Sequence, residues 1–277
     1  MERIDQPDDP RLDPYRDLKG ASGTRWNRPL IAEGYRVVRR AVALDWPFES
    51  LLVSARRRGS DEIEPMLAEL TRRGVPLYEV EQSLAESLAG FNFHAGVLAH
   101  LRRPRSMRFE TWVEGLAADE LIVGCPEMTD PENVGLVMRT AAAFGVRRML
   151  VGTASADPLG RRALRLSMGA ALKLRLLRTS RFTESLERLR HEQGVRVAAA
   201  VCDPAAEPPE AFARTGRRLL LLGNESRGLP DELERLADDR VSIPIASDID
   251  SLNVTAAATI LLYAWRQREE SGQGRSV

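Results

Sequence analysis

RLLLLGNESRGLP, residues 218–230, is the stretch whose reading decides the fold. Leu219, Leu220, Leu221 and Leu222 run without a break between charged flanks, the pattern of a strand buried on both faces. The glycine-rich turn GNESRG follows at once, and DELERLA beyond it has the composition of a helix. Open α/β sheets bind ligands at the carboxyl ends of such strands, which makes the turn a candidate site. Gly223 and Gly228 permit close approach of the loop to a ligand, and Glu225 between them supplies an acceptor-only side chain. An ordinary strand-to-helix turn would use the same residues, so the neighbouring segments have to separate the two readings.

Outward from this stretch, candidate strands at residues 121–124, 148–151, 172–177, 195–201, 219–222 and 241–245 alternate with helical patterns. That alternation predicts a largely parallel sheet covered by helices. Upstream, SLLVSA and VPLYEV read as strands, and DEIEPMLAELTRRG and EQSLAESLAG as helices, giving a smaller α/β unit. From Leu30 the run IAEGYRVVRRAVAL places Ile31, Tyr35, Val38 and Val42 on one helical face. FNFHAGVLAHL reads as a closing strand pair, and the first thirty residues as an irregular arm with a short helix around YRDLKG. RRPRSMRF, with Pro104 and four arginines, marks a linker near residues 103–110. The expected domains are therefore residues 1–110 and 111–277, with TWVEGLAADE as the first helix of the second.

A chain of 277 residues with 43% hydrophobic and 29% charged side chains supports a substantial soluble core. Its formal net charge of zero argues against gripping a polyanion by bulk charge, so any nucleic-acid contact must be local. Arginine supplies nearly all the positive charge and clusters at residues 56–58, 102–108, 147–148 and 161–165. That preference suits bidentate phosphate contacts, and a biased genome composition would produce it too. Apolar runs are too short to span a membrane, and the acidic start MERIDQPDDP lacks a signal peptide's apolar stretch, so the expected location is cytoplasmic. Cys125, Cys202, His94, His100 and His191 are scattered without ligand spacing, which predicts neither a disulfide framework nor a metal site.

Two further stretches have the makings of a site. In DPENVGLVMRTAAAFGV, residues 130–146, Val134, Val137, Met138 and Ala141 form the buried face of a helix, capped by Asp130 or Asn133 and stopped at Gly145. Arg139 lies beside that face and leans back over Gly135, toward the helix N-terminus and Asn133, where donors suited to an anion converge. An arginine merely covering a helix surface is the plainer alternative. In VSIPIASDIDSLNVTAAATILLYAWRQR, residues 241–268, a short strand containing Pro244 leads into a polar loop whose Ile243 and Ile245 leave backbone groups open to a ligand. Ser251 can cap the helix that follows, with Leu252, Ala256, Ile260 and Tyr263 on one face, packed in its own domain or across a subunit interface. GxGxxG after a strand, GxxxxGK[ST], HExxH and a Ser-His-Asp set are all lacking, which disfavours conventional nucleotide or metal enzymes.

Taken in order, these stretches resemble the SpoU, or TrmH-like, family of SPOUT-superfamily RNA 2'-O-methyltransferases. NVGLVMRTAAAFG matches the family's NxGxxxRTAxAFG at Asn133, Gly135, Arg139, Thr140, Ala141, Phe144 and Gly145. GNESRGL matches GNExxGL. Ile243, Pro244, Ser251, Leu252, Asn253 and Val254 fit the third motif, where Ile245 replaces the usual Met and Ser247 the usual Gly. RLSMGA, residues 165–170, is also similar to the family. IAEGYRVVRRAV and HAGVLA resemble the substrate-binding domain fused ahead of the catalytic domain in ribosomal-RNA members, with Ala95 in place of the more common glutamine.

The resemblance implies a C-terminal SPOUT-type knotted parallel sheet with flanking helices, preceded by a small α/β RNA-binding domain. It implies S-adenosyl-L-methionine held by Gly223, Glu225, Ile243, Leu252 and Asn253, and a homodimer with Asn133, Arg139, Glu225, Ser251 and Asn253 near the reacting ribose. The implied reaction is 2'-O-methylation of a ribose in structured RNA, with ribosomal RNA ahead of transfer RNA as the substrate. Two competing readings are a catalytically inactive RNA-binding relative, against which the retained motif polar residues count, and a dinucleotide-dependent oxidoreductase, against which the missing glycine fingerprint counts.

Overall fold

The computed structural model describes residues 1–20, 28–212, 215–246 and 248–272, and contacts divide the chain into two units. The first, Met1–Arg105 with Asp157–Lys173, contains β1 (Glu2–Arg3), β2 (Leu30–Glu33), α1 (Tyr35–Ala43), β3 (Phe48–Ser54), α2 (Glu64–Arg72), β4 (Leu77–Val80), α3 (Gln82–Ala89) and β5 (Val97–Leu101). Its sheet runs β1-β4-β3-β5-β2, with β5 antiparallel to β2 and β3 and the other pairs parallel. The run beginning at Leu30 thus opens as a strand and not a helix. Gly34, at φ +91°, turns the chain where a side chain would be strained, and α1 then buries Val37, Val38 and Ala41. FNFHAGVLAHL contributes the single strand β5 and not a pair.

The N-terminal arm folds into short 3-10 stretches at Pro10–Tyr15 and Leu18–Gly20. It is tied down by fully buried Tyr15, whose hydroxyl meets Ser50 Oγ at 2.6 Å. The segment Asp157–Lys173 completes this unit, an addition that a single cut of the chain does not foresee. Arg40 donates to the Met168 carbonyl at 2.9 Å, Trp46 Nε1 to the Leu172 carbonyl at 3.2 Å, and Arg103 grips Asp157 through both oxygens at 2.8 and 3.3 Å.

The second unit, Ser106–Ala156 with Leu174–Val277, begins with α4 (Phe109–Val113), β6 (Leu121–Cys125), α5 (Pro131–Ala143) and β7 (Arg148–Gly152). After the intervening helix α6 (Arg161–Leu166) of the first unit come β8 (Arg175–Thr179), α7 (Phe182–Gln193), β9 (Arg196–Ala200), α8 (Pro209–Phe212) and β10 (Arg218–Leu221). α9 (Asp231–Leu236), β11 (Asp239–Val241) and α10 (Val254–Gly272) close the order. The sheet is β11-β9-β10-β6-β7-β8, with every neighbouring pair parallel.

The leucine run lies in the middle of this sheet. Leu219 and Leu221 pack into one cluster with Ile122, Leu150, Leu186 and Leu189, while Leu220 and Leu222 are buried as well. At about 1.5–3 kcal/mol for each fully buried leucine, this run anchors the unit. Its charged flank is also internal: Arg218 is 1% exposed and meets Asp239 at 2.9 Å, with Arg196 on the same carboxylate at 2.7 Å. Burial by itself would raise the Asp239 pKa, and hydrogen bonds from the two guanidinium groups outweigh it, holding the carboxyl below its ordinary range.

Two expected strands shift. Residues 172–177 divide because Ala170–Lys173 is a 3-10 turn belonging to the first unit, so β8 starts only at Arg175. The strand expected at residues 241–245 ends at Val241, ahead of Pro244, which has no N–H for a ladder. TWVEGLAADE is helical only as far as Val113. Among the described residues no helix is long and apolar enough to cross a membrane.

Candidate active site

Because all six strands are parallel, the loops after β6, β10 and β11 emerge at one end of the sheet. These loops carry or introduce the three motifs. The first motif is α5. Asp130 caps it by accepting from the Glu132 amide at 2.8 Å, Pro131 occupies its first turn, and Val134, Val137, Met138 and Ala141 are buried as the periodicity predicts. Asn133 faces inward and is only 7% exposed.

The second motif folds back on itself. Asn224 and Gly228 exchange backbone hydrogen bonds of 2.8 and 3.0 Å. Asn224 Oδ1 accepts from the Ser226 and Arg227 amides at 3.0 and 3.2 Å, and its Nδ2 donates to the Glu127 carbonyl at 2.8 Å. Gly223 is required for this closure: a Cβ there would stand 2.5 Å from the Gly228 carbonyl carbon and 2.6 Å from the Leu229 nitrogen. The close approach that the glycine permits is therefore to the loop's own backbone. Gly228 is needed for its φ of +70°.

In the third motif the helix starts later than expected. Asn253 Oδ1 accepts from the Thr255 amide at 2.8 Å, so Asn253 caps α10 and Ser251 does not. Ser251 is exposed and hydrogen-bonds to no described residue. The buried face of α10 is Ala258, Leu261, Leu262 and Trp265. The face carrying Ile260 and Tyr263 points outward, 39% and 54% exposed, so of the two alternatives it is not packed within its own domain. Ser247 lies outside the described residues.

The three motifs meet in one polar chain. Glu225 Oε1 accepts from Asn133 Nδ2 at 3.1 Å and from the Asp130 amide at 3.3 Å, at the N-terminal end of α5 where a negative charge is favoured. Asn133 Oδ1 in turn accepts from Asn253 Nδ2 at 3.2 Å and Thr255 Oγ1 at 3.4 Å. Glu225, Asn133 and Asn253 are thus brought together. Arg139 is not tied into this chain; it is exposed and makes no hydrogen bond or ion pair with any described residue, Asn133 included. Sequence reading missed Asn224 and Thr255; a polar side chain directly after the turn glycine was the available signal for Asn224. Cys125 is buried beneath the site, and burial, reinforced by Glu225, pushes its thiol up to about 12, which keeps it protonated and inert.

The loops suit an adenosyl cofactor. The backbone N–H groups of Gly223, Glu225, Ile243 and Ile245 donate to no described residue, and 36% exposed Ile245 and 52% exposed Ile249 offer apolar surface near them in sequence. Among the described residues no cluster of His, Cys, Asp or Glu could hold a metal ion.

Comparison with known proteins follows the same lines. Residues 120–263 match the model of the SpoU rRNA Methylase family, and residues 31–107 match that for RNA 2'-O ribose methyltransferase substrate binding. An uncharacterized tRNA/rRNA methyltransferase of Mycobacterium bovis is 35% identical over 280 residues, covering 98% of this chain and 93% of that protein. A 23S rRNA (guanosine-2'-O-)-methyltransferase of Acinetobacter baylyi is 28% identical over 221 residues, covering 78% of this chain and 89% of that protein. The crystal structure of an AdoMet-bound rRNA methyltransferase from Sinorhizobium meliloti superposes with a TM-score of 0.78 at 25% identity, covering 96% of this chain and 97% of that one.

Proposed function

The chain belongs to the SpoU rRNA Methylase family, and from that membership and the site geometry we propose that it methylates a ribose of ribosomal RNA through the residues described above. It is an RNA 2'-O-ribose methyltransferase that uses S-adenosyl-L-methionine. The observation that carries the residue assignment is the hydrogen-bonded chain from Glu225 through Asn133 to Asn253 and Thr255, which gathers all three motifs at one end of the sheet.

Bound there, the cofactor supplies an electrophilic methyl group to the ribose 2'-oxygen. The open amides of Gly223, Ile243 and Ile245, with Leu252 and Asn253, hold and orient it, and the loops of the second and third motifs form the knotted cradle of the family. Glu225 is held by the Asn133 side chain and the Asp130 amide and fixes the second loop against the first motif. Arg139, free of internal partners, anchors an RNA phosphate and stabilises negative charge developing on the 2'-oxygen. Arginine remains protonated at physiological pH, so the proton leaves to water or an RNA phosphate oxygen. Ser251 lies on the open loop and contacts the ribose. A reactive 2'-hydroxyl restricts the substrate to RNA.

The outward face of α10, with Ile260 and Tyr263, together with exposed Ile249, supports a homodimer through the C-terminal unit. Phe144 meets Tyr263 edge to face at 6.3 Å and extends that surface onto α5. Titration calorimetry with chelator present tests the reading: S-adenosyl-L-methionine should bind about once per subunit, and light scattering should show a dimer. Mapping 2'-O-methyl sites in ribosomal RNA with and without the gene identifies the target. A protein that takes up no cofactor in a micromolar titration contradicts the proposal.

A further inference from the structure

The first unit contains a cavity of about 220 Å³, open to solvent, between the N-terminal arm, β2 and the turn ahead of α6. Four arginines line it: Arg16, Arg28, Arg103 and Arg161. Two are locked in place. Arg103 is gripped by Asp157, itself 4% exposed, and also donates to the Arg28 carbonyl at 3.2 Å. Arg161 lies over the Phe91 ring at 4.3 Å, pairs with buried Glu33 and donates to the Leu18 carbonyl at 3.2 Å. The other two remain available. Arg16 uses Nε and one terminal nitrogen on Asp13 and the Asp9 carbonyl, and Arg28 makes no side-chain hydrogen bond or ion pair with any described residue.

Charge and shape narrow the occupant. Against the four guanidinium groups stand the lining carboxylates of Asp13 and Asp157, with Glu33 holding Arg161 from behind, so Arg28 has no counter-charge among the described residues. The surplus favours an anion. Pro14, Leu18, Pro29 and Ile31 supply an apolar wall, which a bare phosphate would not use. The volume is below the roughly 300 Å³ at which drug-sized ligand pockets begin, so the open cavity suits a small unit held at its mouth better than an enclosed S-adenosyl-L-methionine or dinucleotide. A single nucleotide, with a flat apolar base and a charged phosphate, matches both surfaces. Two preorganised arginines reduce the ordering cost of holding it.

We propose that this cavity receives one unpaired nucleotide of the RNA substrate, its phosphate on Arg28 and Arg16 and its base against Pro14 and Pro29. The assignment rests on the RNA-methyltransferase reading, and it gives the N-terminal arm and the Asp157–Arg161 turn a task in substrate choice. Protein surfaces take splayed single-stranded bases in this manner, stacked on flat side chains and guanidinium planes.

The test uses the full-length protein. In wild type, millimolar uridine 5'-monophosphate should slow amide hydrogen exchange in residues 13–18 and 157–161, and inorganic phosphate alone should not. Arg28→Glu should abolish that protection and weaken binding to deproteinised ribosomal RNA by at least about tenfold, with a shallower salt dependence. Its affinity for S-adenosyl-L-methionine should be unchanged. If Arg28→Glu loses its fold by circular dichroism, Arg28→Ala is carried through the same measurements. Absence of protection by the nucleotide overturns the proposal, and equal protection by phosphate reduces the cavity to an anion site and overturns it too. Protection by the nucleotide with undiminished RNA affinity in the variant would make it a site for free nucleotides, against the proposal. A wild-type protein that methylates no RNA removes the functional reading, while the exchange result still decides whether a nucleotide binds here.

Discussion

The two halves of the candidate site differ in how their polar groups are satisfied. On one side, the loop at residues 223–229 is braced from within: Asn224 alone organises both backbone and side-chain bonds, and the Glu225 carboxylate is met by Asn133 and the Asp130 amide, while the Gly223 and Glu225 amides donate to no described residue. On the other, the described residues of 243–251 show among themselves a single backbone bond, from the Ile249 amide to the Ala246 carbonyl at 3.1 Å. Arg139 and Ser251 have no partner among the described residues, and Ile245, Ile249, Ile260 and Tyr263 stand exposed. Buried polar groups are almost always paired, so on the proposed function the braced loop serves mainly as scaffold, and the groups left open, the Gly223 amide among them, are those that cofactor, RNA and a second subunit would satisfy. Substitutions should therefore separate: those in the open half should cost activity, those in the closed half stability.

The largest effect expected on this view is at Arg139. Arg139→Ala should lower single-turnover methylation about a hundredfold, roughly 2.7 kcal/mol of transition-state stabilisation, with saturating RNA and cofactor. Its melting temperature should scarcely change, because the exposed side chain makes no hydrogen bond or ion pair with any described residue. Arg139→Lys should recover little, since an ammonium does not reproduce the planar fork. A wild-type rate for Arg139→Ala would move Arg139 out of the chemistry.

Next in size is Gly223→Ala, which should destabilise the second unit by about 1–3 kcal/mol, the usual range for forcing a methyl into filled space. Denaturant titration measures this, and calorimetry should show weakened cofactor affinity as the loop is pried from Leu229. Unaltered stability would mean that the loop opens freely and that the contrast between the two halves is overstated. Smallest is the bond joining the motifs. A double-mutant cycle with Asn133→Ala and Asn253→Ala should give a coupling of about 1 kcal/mol in stability, and additive losses would show that the two residues act separately.

The same contrast explains what could be read without coordinates. Asp130 was legible as one of two candidate caps and the Val134, Val137, Met138 and Ala141 stripe as buried, because both depend on residues a turn or two apart in a helix with a single apolar face. In α10 the same reasoning leaves two choices open. It carries apolar residues on two faces, Ala256, Ile260 and Tyr263 on one and Ala258, Leu261, Leu262 and Trp265 on the other, and periodicity does not rank them. Packing against α5 and α8 does: Trp265 settles 5.8 Å from the Phe212 ring and the second face is covered. Likewise IAEGYRVVRRAVAL has a helical period throughout, yet its first residues pair with β5, since a strand partner more than sixty residues away outweighs local preference.

The amino-acid sequence by itself determined the class of fold, the alternation into a parallel sheet, the run of leucines at its centre and the three ordered motifs that mark the family. Each of these is written in neighbouring residues, where periodicity, turn chemistry and spacing act. Only the tertiary structure decided the strand order, the passage of Asp157–Lys173 into the first unit, the role of Gly223 in closing its own loop, and the joining of Glu225, Asn133 and Asn253. Those outcomes depend on contacts between residues distant along the chain, and such contacts form only once the sheet has brought the loops to one end.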